Sequence, residues 1–351
     1  MNQDKVKVQL RGISATLLMC LKGRADLSKA HSSLFYDAKA IELMEKIDYE
    51  SSPTDIPFPD ILFNIFSKYN FISSLFTLRA KQFDDKLKAY ITKHPRASIV
   101  NIGAGLDTTF YRVDNGLIHW HDLDLPDVID IRRQLLPEPD RATYIAKSLL
   151  DPSWCKEIEH IENGVFMIAG GVFFYFNEIQ VHQFFSMIAD NFPGGEIVFD
   201  AMLRSESDAR SFVDMVQPEQ RDTLAALWEK ALREWWESSP QDQKDKINGM
   251  IAALKLPLKP MGREWTDIKT WWIQLGNKER REALMALARG GIESFAPKDA
   301  NEFTTLDRRI TMVDQFPLFT NIPRDSLSAD LRRLMDYSDE LGRSRIVHLR
   351  V

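Results

Sequence analysis

Between residues 98 and 202 short apolar runs alternate with amphipathic segments of helix length, and this rhythm restricts the possible folds most. SIVNIG, GLIHWHDLD, ATYIAKSLL, GVFMIAGGVFFYF and GGEIVFDAM read as strands. The segments between them, such as PDVIDIRRQLL and EIQVHQFFSMIADNF, carry apolar residues at spacings of three and four. Strands separated by helices imply parallel crossovers, and hence an open, doubly wound α/β sheet. RRITMVDQFPLF and SRIVHLRV add two strands near the C-terminus, for seven in all.

The flanking segments are helical. SATLLMCLKGRADL, with Ser14 as its cap, and AKAIELMEKI have helical periodicity, and so does FNIFSKYNFISSLFTLRAKQFDDKLKAYITKH up to Pro95. SSPTDIPFPD, with three prolines, is a loop between them. Residues 203–300 break the strand rhythm with long helical stretches that hold Trp228, Trp235, Trp236, Trp265, Trp271 and Trp272. These tryptophans fit two readings: core filling by an amphipathic helix, or a cover offering flat faces to an aromatic substrate. The chain then divides into an N-terminal helical lid region (1–95), an α/β domain (96–204 with 301–351), and a helical insertion (205–300) before the last two strands. A length of 351 residues suits one large domain carrying such an insertion.

A net charge of −6 argues against a general nucleic-acid binder, which would present a basic excess. Cys20 and Cys155 are the only cysteines and form no Cys-x-x-Cys pair, which fits a reducing cytoplasm. ISATLLMCL follows Lys5, Lys7 and Arg11 much as a signal peptide would. It is short, however, is followed at once by KGR, lacks a small-residue cleavage site, and reads as a buried helix. No stretch approaches the roughly 20 apolar residues of a membrane span. No G-x-S-x-G elbow occurs, and Cys155 has no evident base, so hydrolase chemistry is disfavoured. Oligomeric state has no signature.

The chemistry concentrates at SIVNIGAGLDTTFYRV, residues 98–113, where a strand ends in Gly103-Ala104-Gly105. Glycine lets a backbone approach a ligand closely, and a helix after the turn would offer free N–H groups. A dinucleotide fingerprint needs a third glycine, but Thr108 stands there, which counts against NAD without excluding it. Asp122 and Asp124 follow Gly103 by 19 and 21 residues, a distance that suits carboxylates gripping a ribose. An adenosyl ligand without a pyrophosphate, such as S-adenosylmethionine, needs that grip but not the third glycine. His119 and His121 share a strand face at a metal-compatible spacing, but no third ligand is apparent. They are read as flanking the cofactor pocket, with no metal.

NIGAGLDTTFYR, HDLDLPDVIDIRRQLL and IAGGVFFYF resemble the leucine carboxyl methyltransferase family, including polyketide-biosynthesis O-methyltransferases of the tetracenomycin type. ATLLMCLKGRADL, KAIELMEKIDYE and SRIVHLRV extend the likeness. The resemblance implies a class I, Rossmann-like methyltransferase sheet and S-adenosylmethionine as cofactor. By it Arg79 would hold the cofactor carboxylate, and Gly103, Ala104 and Gly105 would pass beneath its methionine part. Asp124, helped by Asp122, would take the ribose; Ser148 and Leu149 would meet the adenine; Arg24 would belong to the lid. Gly170 stands where many members carry an acidic residue. Tyr175 is placed near the methyl acceptor on the expectation that Phe173 to Phe176 alternate across a strand. A carboxylate acceptor, ionised at neutral pH with a pKa of about 4, needs no general base, whereas a phenol at about 10 would benefit from one. No base is evident, which favours a small polyketide-like or aromatic carboxylate. A phenol or other hydroxyl, a protein C-terminus, a nicotinamide-dependent oxidoreductase and a non-catalytic cofactor-binding protein remain the alternatives.

Overall fold

The computed structural model describes residues 10–11, 16–48, 54–55, 71–203, 264–274 and 295–351, with isolated helical residues between 233 and 249. Seven strands form one sheet: β1 (Ser98–Ile102), β2 (His119–Asp124), β3 (Ala142–Ala146), β4 (Val165–Ala169), β5 (Glu196–Met202), β6 (Thr311–Pro317) and β7 (Ser344–Arg350). Their order is β3-β2-β1-β4-β5-β7-β6. β3, β2, β1, β4 and β5 pair in parallel, while β7 runs antiparallel between β5 and β6. This is the seven-stranded, mostly parallel sheet that the strand rhythm and the resemblance led one to expect.

The described helices are α1 (Thr16–Ala30), α2 (Ala38–Lys46), α3 (Phe71–Lys93), α4 (Phe110–Val113), α5 (Pro126–Leu135), α6 (Glu178–Asn191), α7 (Trp265–Gln274) and α8 (Ala329–Leu341). Local chemistry sets several of their ends. Pro126 opens α5, where its missing N–H costs nothing. Asn177 and Gln180 close a reciprocal capping box at α6. Asp37 accepts from Ala40 N to start α2. The proposed cap Ser14 lies outside the described residues, as do Trp228, Trp235 and most of the insertion. Within it, Trp236 and Trp271 are buried, which favours core filling for those two. Within SSPTDIPFPD, Thr54–Asp55 pairs with Leu10–Arg11.

The central strands β1, β4 and β5 are buried on both faces, and period-two alternation splits their side chains between two cores. Val100 and Met167 pack with Trp154, Phe184, Phe185 and Phe199 on one side. Ile99, Phe166 and Ile168 pack with α3 residues such as Phe83 and Leu87 on the other. A third cluster joins α1 and α2 to Leu106, just past the glycine turn.

At the far end of the sheet Glu196 faces Arg350 in the β5–β7 register. His348 Nε2 lies 2.8 Å from Glu196 Oε2, and Arg350 Nη2 donates to Oε1 at 2.9 Å. The hydrogen bond from His348, reinforced by Arg350 against the cost of burial, pulls the Glu196 carboxyl down to about 2. Its stabilising contribution is therefore complete above the ordinary value of 4.5 and is lost as pH falls toward 2. Urea unfolding at pH 5 and pH 2.5 should show Glu196→Gln flattening this acid slope, by about 1–2 kcal/mol once solvent screening of the pair is allowed for.

Candidate functional site

The connections from β1 and β4 leave in opposite directions, which opens a crevice beyond their carboxyl ends, where open α/β sheets bind ligands. A cavity of about 70 Å³ lies there, lined by residues that include Arg24, Arg79, Asn101, Gly103, Asp107 and Gly170. Ala104 also lines it. α1 contributes Leu17 and Cys20 to the wall, so the N-terminal helix packs directly over the crevice.

The glycine turn is tied down by β2. Gly103 N and Ala104 N donate to Leu123 O at 2.8 and 3.1 Å, and Gly105 N donates to Asp124 Oδ2 at 2.7 Å. Asp124 Oδ1 takes the N–H of Leu125 at 2.7 Å. Burial raises the Asp124 pKa, and these two backbone N–H groups oppose the rise. The helix expected directly after the glycines starts only at Phe110 and is four residues long. Asp107 instead receives Thr109 N at 2.8 Å and turns the chain first, so the glycines do not abut free helical N–H groups. Gly103 has φ of 65°, and a Cβ there would stand 2.6 Å from Val172 Cγ2. Gly103→Ala should therefore cost about 1–2 kcal/mol of stability and displace Val172, measurable as a lowered Tm and weakened ligand binding.

Thr108, in the place of a third glycine, is fully buried and donates to Asp37 Oδ2 at 2.5 Å. Arg112 Nη1 donates to the same oxygen at 2.6 Å, and its Nε and Nη2 grip Asp84 at 2.7 and 2.9 Å. The segment after the turn is thus bolted to the start of α2 and to α3. Arg132 does the same from below: it donates to Gly105 O, to Asp107 O and to Asp122 Oδ2 at 3.0, 2.8 and 2.6 Å.

Asp122 departs from the ribose role expected of it beside Asp124. Its Oδ1 accepts from Trp120 Nε1 and Asn101 Nδ2, its Oδ2 from Arg132, and only 1% of the residue is exposed. Asp122 and Asp124 share a face of β2, but Asp122 sits within the strand while Asp124 closes it at its ligand end. Asp124 is half-buried at the glycine turn.

Arg79 reaches the cavity from α3 and donates to Asp200 Oδ2 at 2.9 Å. Asp200 Oδ1 accepts Gly171 N at 2.6 Å, so one carboxylate holds both the arginine and the turn after β4. Gly170 makes room for this: a Cβ there would stand 3.1 Å from Phe83 and 3.5 Å from the Arg79 guanidinium. Arg24, 5% exposed, donates to Leu106 O at 2.7 Å. Its Nε forms an ion pair with Asp37 Oδ2 at 3.4 Å and makes no hydrogen bond among the described residues. Burial raises the Cys20 thiol despite Arg79 and Arg24, and burial pushes Cys155 up to about 11, so neither is poised as a thiolate. Ser148 and Leu149 follow β3 on the same side of the sheet, outside the cavity wall.

Two placements differ from expectation. β4 stops at Ala169, and Phe173–Tyr175 form a 3-10 turn, so these aromatics do not alternate across a strand. The physical cause is the Gly170-Gly171 bend, where Gly171 N leaves the ladder for Asp200. Phe173 joins the aromatic core with Phe184, Phe185 and Phe199, and Tyr175 stands outside the cavity wall. The histidines do not flank the pocket. His119 begins β2, roughly 17 Å of extended chain from Asp124, and stacks on His160 with ring centroids 4.0 Å apart. His121 lies 3.3 Å from Ile99 O through Nδ1. No cluster of metal-ligating side chains occurs among the described residues.

Asp200, Asp107, Asn101, Arg132 and Arg112 were not singled out by motif reading. For Asp200 the signal was a lone charge inside the apolar run EIVFDAM, whose partner Arg79 lies 121 residues away in sequence.

The model of the leucine carboxyl methyltransferase family matches residues 17–189. Tetracenomycin polyketide synthesis O-methyltransferase TcmP of Streptomyces glaucescens is 28% identical over 197 residues, covering 56% of this chain and 68% of that protein. The S-adenosyl-L-methionine-dependent methyltransferase dpfgK of Gibberella zeae is 27% identical over 214 residues, covering 56% and 69%. The crystal structure of a DUF574 family protein from Streptomyces avermitilis aligns over 93% of this chain and 99% of that one, with 10% identity and a TM-score of 0.49. Residues 17–189, just under half of the chain, are similar to the leucine carboxyl methyltransferase family, and the chain is an S-adenosylmethionine-dependent methyltransferase.

Proposed function

We propose that this chain transfers a methyl group to an oxygen of a small molecule, and that the acceptor is a carboxylate of a polyketide-like or aromatic compound. The observation that carries the reading is the charged cavity at the switch point, with Arg79 and Arg24 beside the glycine turn and Asp124 at the next strand end. The Arg24 and Arg79 side chains on the cavity wall and this donor set fit the carboxylate and ribose of S-adenosylmethionine. That cofactor supplies an electrophilic methyl group on a sulfonium.

The chain's own residues orient and enclose. Arg79, held by Asp200, takes the cofactor carboxylate; Arg24 closes over it from α1 as part of the lid. Gly103, Ala104 and Gly105 give close backbone approach, Asp124 takes the ribose, and Ser148 and Leu149 edge the adenine. Gly170 leaves the Arg79 guanidinium room against the backbone. Catalysis of this kind is positional: acceptor oxygen, methyl carbon and sulfur must be collinear and shielded from water. Among the described cavity residues no side chain is poised as a base near neutrality. Cys20 is held protonated by burial, and Asp107 is held ionised by Arg24 and Arg112 against the cost of burial. An acceptor carboxylate, already ionised, needs none. The polyketide O-methyltransferase among the relatives supports a small acceptor. The segment 205–300 is proposed as its cover.

Two measurements test this. Calorimetric titration should show binding of S-adenosylhomocysteine and none of NADH. Labelled S-adenosylmethionine with aromatic carboxylic acids and the matching phenols should give base-labile methyl esters. Transfer to phenols alone would replace the carboxylate reading with a hydroxyl one. Transfer to a peptide C-terminus alone would replace the small-molecule reading, and NADH binding without S-adenosylhomocysteine would overturn both.

A further inference from the structure

A second cavity lies outside the crevice, between the start of α2, the middle of α3 and Tyr111 of α4. Its volume is about 450 Å³ against about 70 Å³ for the crevice, and the two share no lining residue. The Arg112 cluster stands between them. Arg112 grips Asp37 and Asp84 on the wall of the second cavity, and Asp37 also pairs with Arg24 on the wall of the first. A cavity of that volume is within the range of small-molecule sites.

Its lining combines open aromatic surface with surplus positive charge. The Tyr36 side chain is 59% exposed and makes no ring contact or hydrogen bond among the described residues. Tyr111 is 37% exposed, with the Lys39 ammonium 4.8 Å from its ring centre. Lys39 and Lys46 share the single carboxylate of Glu42, and Lys81 is paired with Asp85. Asp37 and Asp84 are taken by Arg112. Lys88, exposed on the same face of α3 as Lys81, has no ion pair among the described residues. Two open tyrosine rings suit a flat apolar body, and the uncompensated ammonium groups suit an anion. An aromatic carboxylate offers both in one small molecule. We propose that this cavity is a second ligand site, which binds an aromatic carboxylate with its ring against Tyr36 and Tyr111 and its carboxylate toward Lys88 and Lys39. The site is separate from the crevice and independent of which acceptor is methylated.

The test pairs changes in the protein with a change in the ligand. Wild type, Tyr36→Ala and Lys88→Ala are titrated calorimetrically with naphthoate and with its uncharged methyl ester. Both substituted positions are exposed, and urea unfolding curves matching wild type show that each variant is folded. Tyr36→Ala should weaken both ligands by about fivefold, because both carry the ring. Lys88→Ala should weaken naphthoate by about threefold, the size expected of an exposed charge pair, and leave the ester unchanged. Naphthoate binding that neither substitution alters would overturn the proposal, since a ligand held at the acceptor position ignores both residues. Equal loss of naphthoate and ester in Lys88→Ala would overturn it too, because the lysine would then not be meeting the charge. Wild type decides independently of the variants: it must bind naphthoate more tightly than the ester, and equal affinities would overturn the proposal. Both variants should bind S-adenosylhomocysteine as wild type does, so the cofactor reading stands or falls separately.

Discussion

Arg132→Ala is expected to cost about 3–5 kcal/mol of folding free energy, measured by urea unfolding at neutral pH. Arg132 is 1% exposed, and its guanidinium joins Asp122 of β2 to the carbonyls of Gly105 and Asp107 while lying over the Tyr144 ring. Removing it leaves the Asp122 carboxylate buried without its counter-ion and frees two carbonyls of the glycine turn. Replacing both partners by apolar residues, as in Asp122→Leu with Arg132→Met, removes the stranded charge and should recover much of the loss. Recovery of stability without recovery of cofactor affinity would place the arginine's functional role in the turn it braces. A single variant as stable as wild type would refute this account of the turn.

Arg79→Ala should weaken S-adenosylhomocysteine binding by more than tenfold, since a charge-assisted hydrogen bond to a carboxylate is worth about 1.5–3 kcal/mol. The same substitution strands Asp200, whose side chain is 11% exposed, and so lowers stability as well. The two effects separate in the double variant Arg79→Ala, Asp200→Ala. Stability should partly return because no unpaired charge remains, whereas affinity should stay low because the cation is still missing. If affinity returned with stability, Arg79 would be a structural partner of Asp200 and not a ligand contact.

Strand and helix order along 98–202 could be read from the residues in advance because burial on both faces writes nearly continuous apolar runs, separated by helical periodicity. The glycine turn and Asp124 were equally readable, since both act through backbone conformation and position at a strand end. The misreadings share one cause. GVFFYF has strand-forming residues, but Asp200, 29 residues beyond Gly171, draws the backbone out of the ladder. Asp122 and Asp124 look equivalent in HDLD and share a face of β2, yet Arg132 from the following helix takes the inner one and the strand-end one meets the glycine turn.

Sequence order therefore contains the fold class, the family likeness and the location of the turn, because these depend on local periodicity and on residues close together in the chain. The charge pattern of the cavity is set only when distant segments meet. Arg24, Arg79, Asp107 and Asp200 come from α1, α3, the loop after β1, and β5, and no spacing rule links them. Whether a buried charge is a ligand contact or a strut depends on its partner, and folding alone supplies the partner.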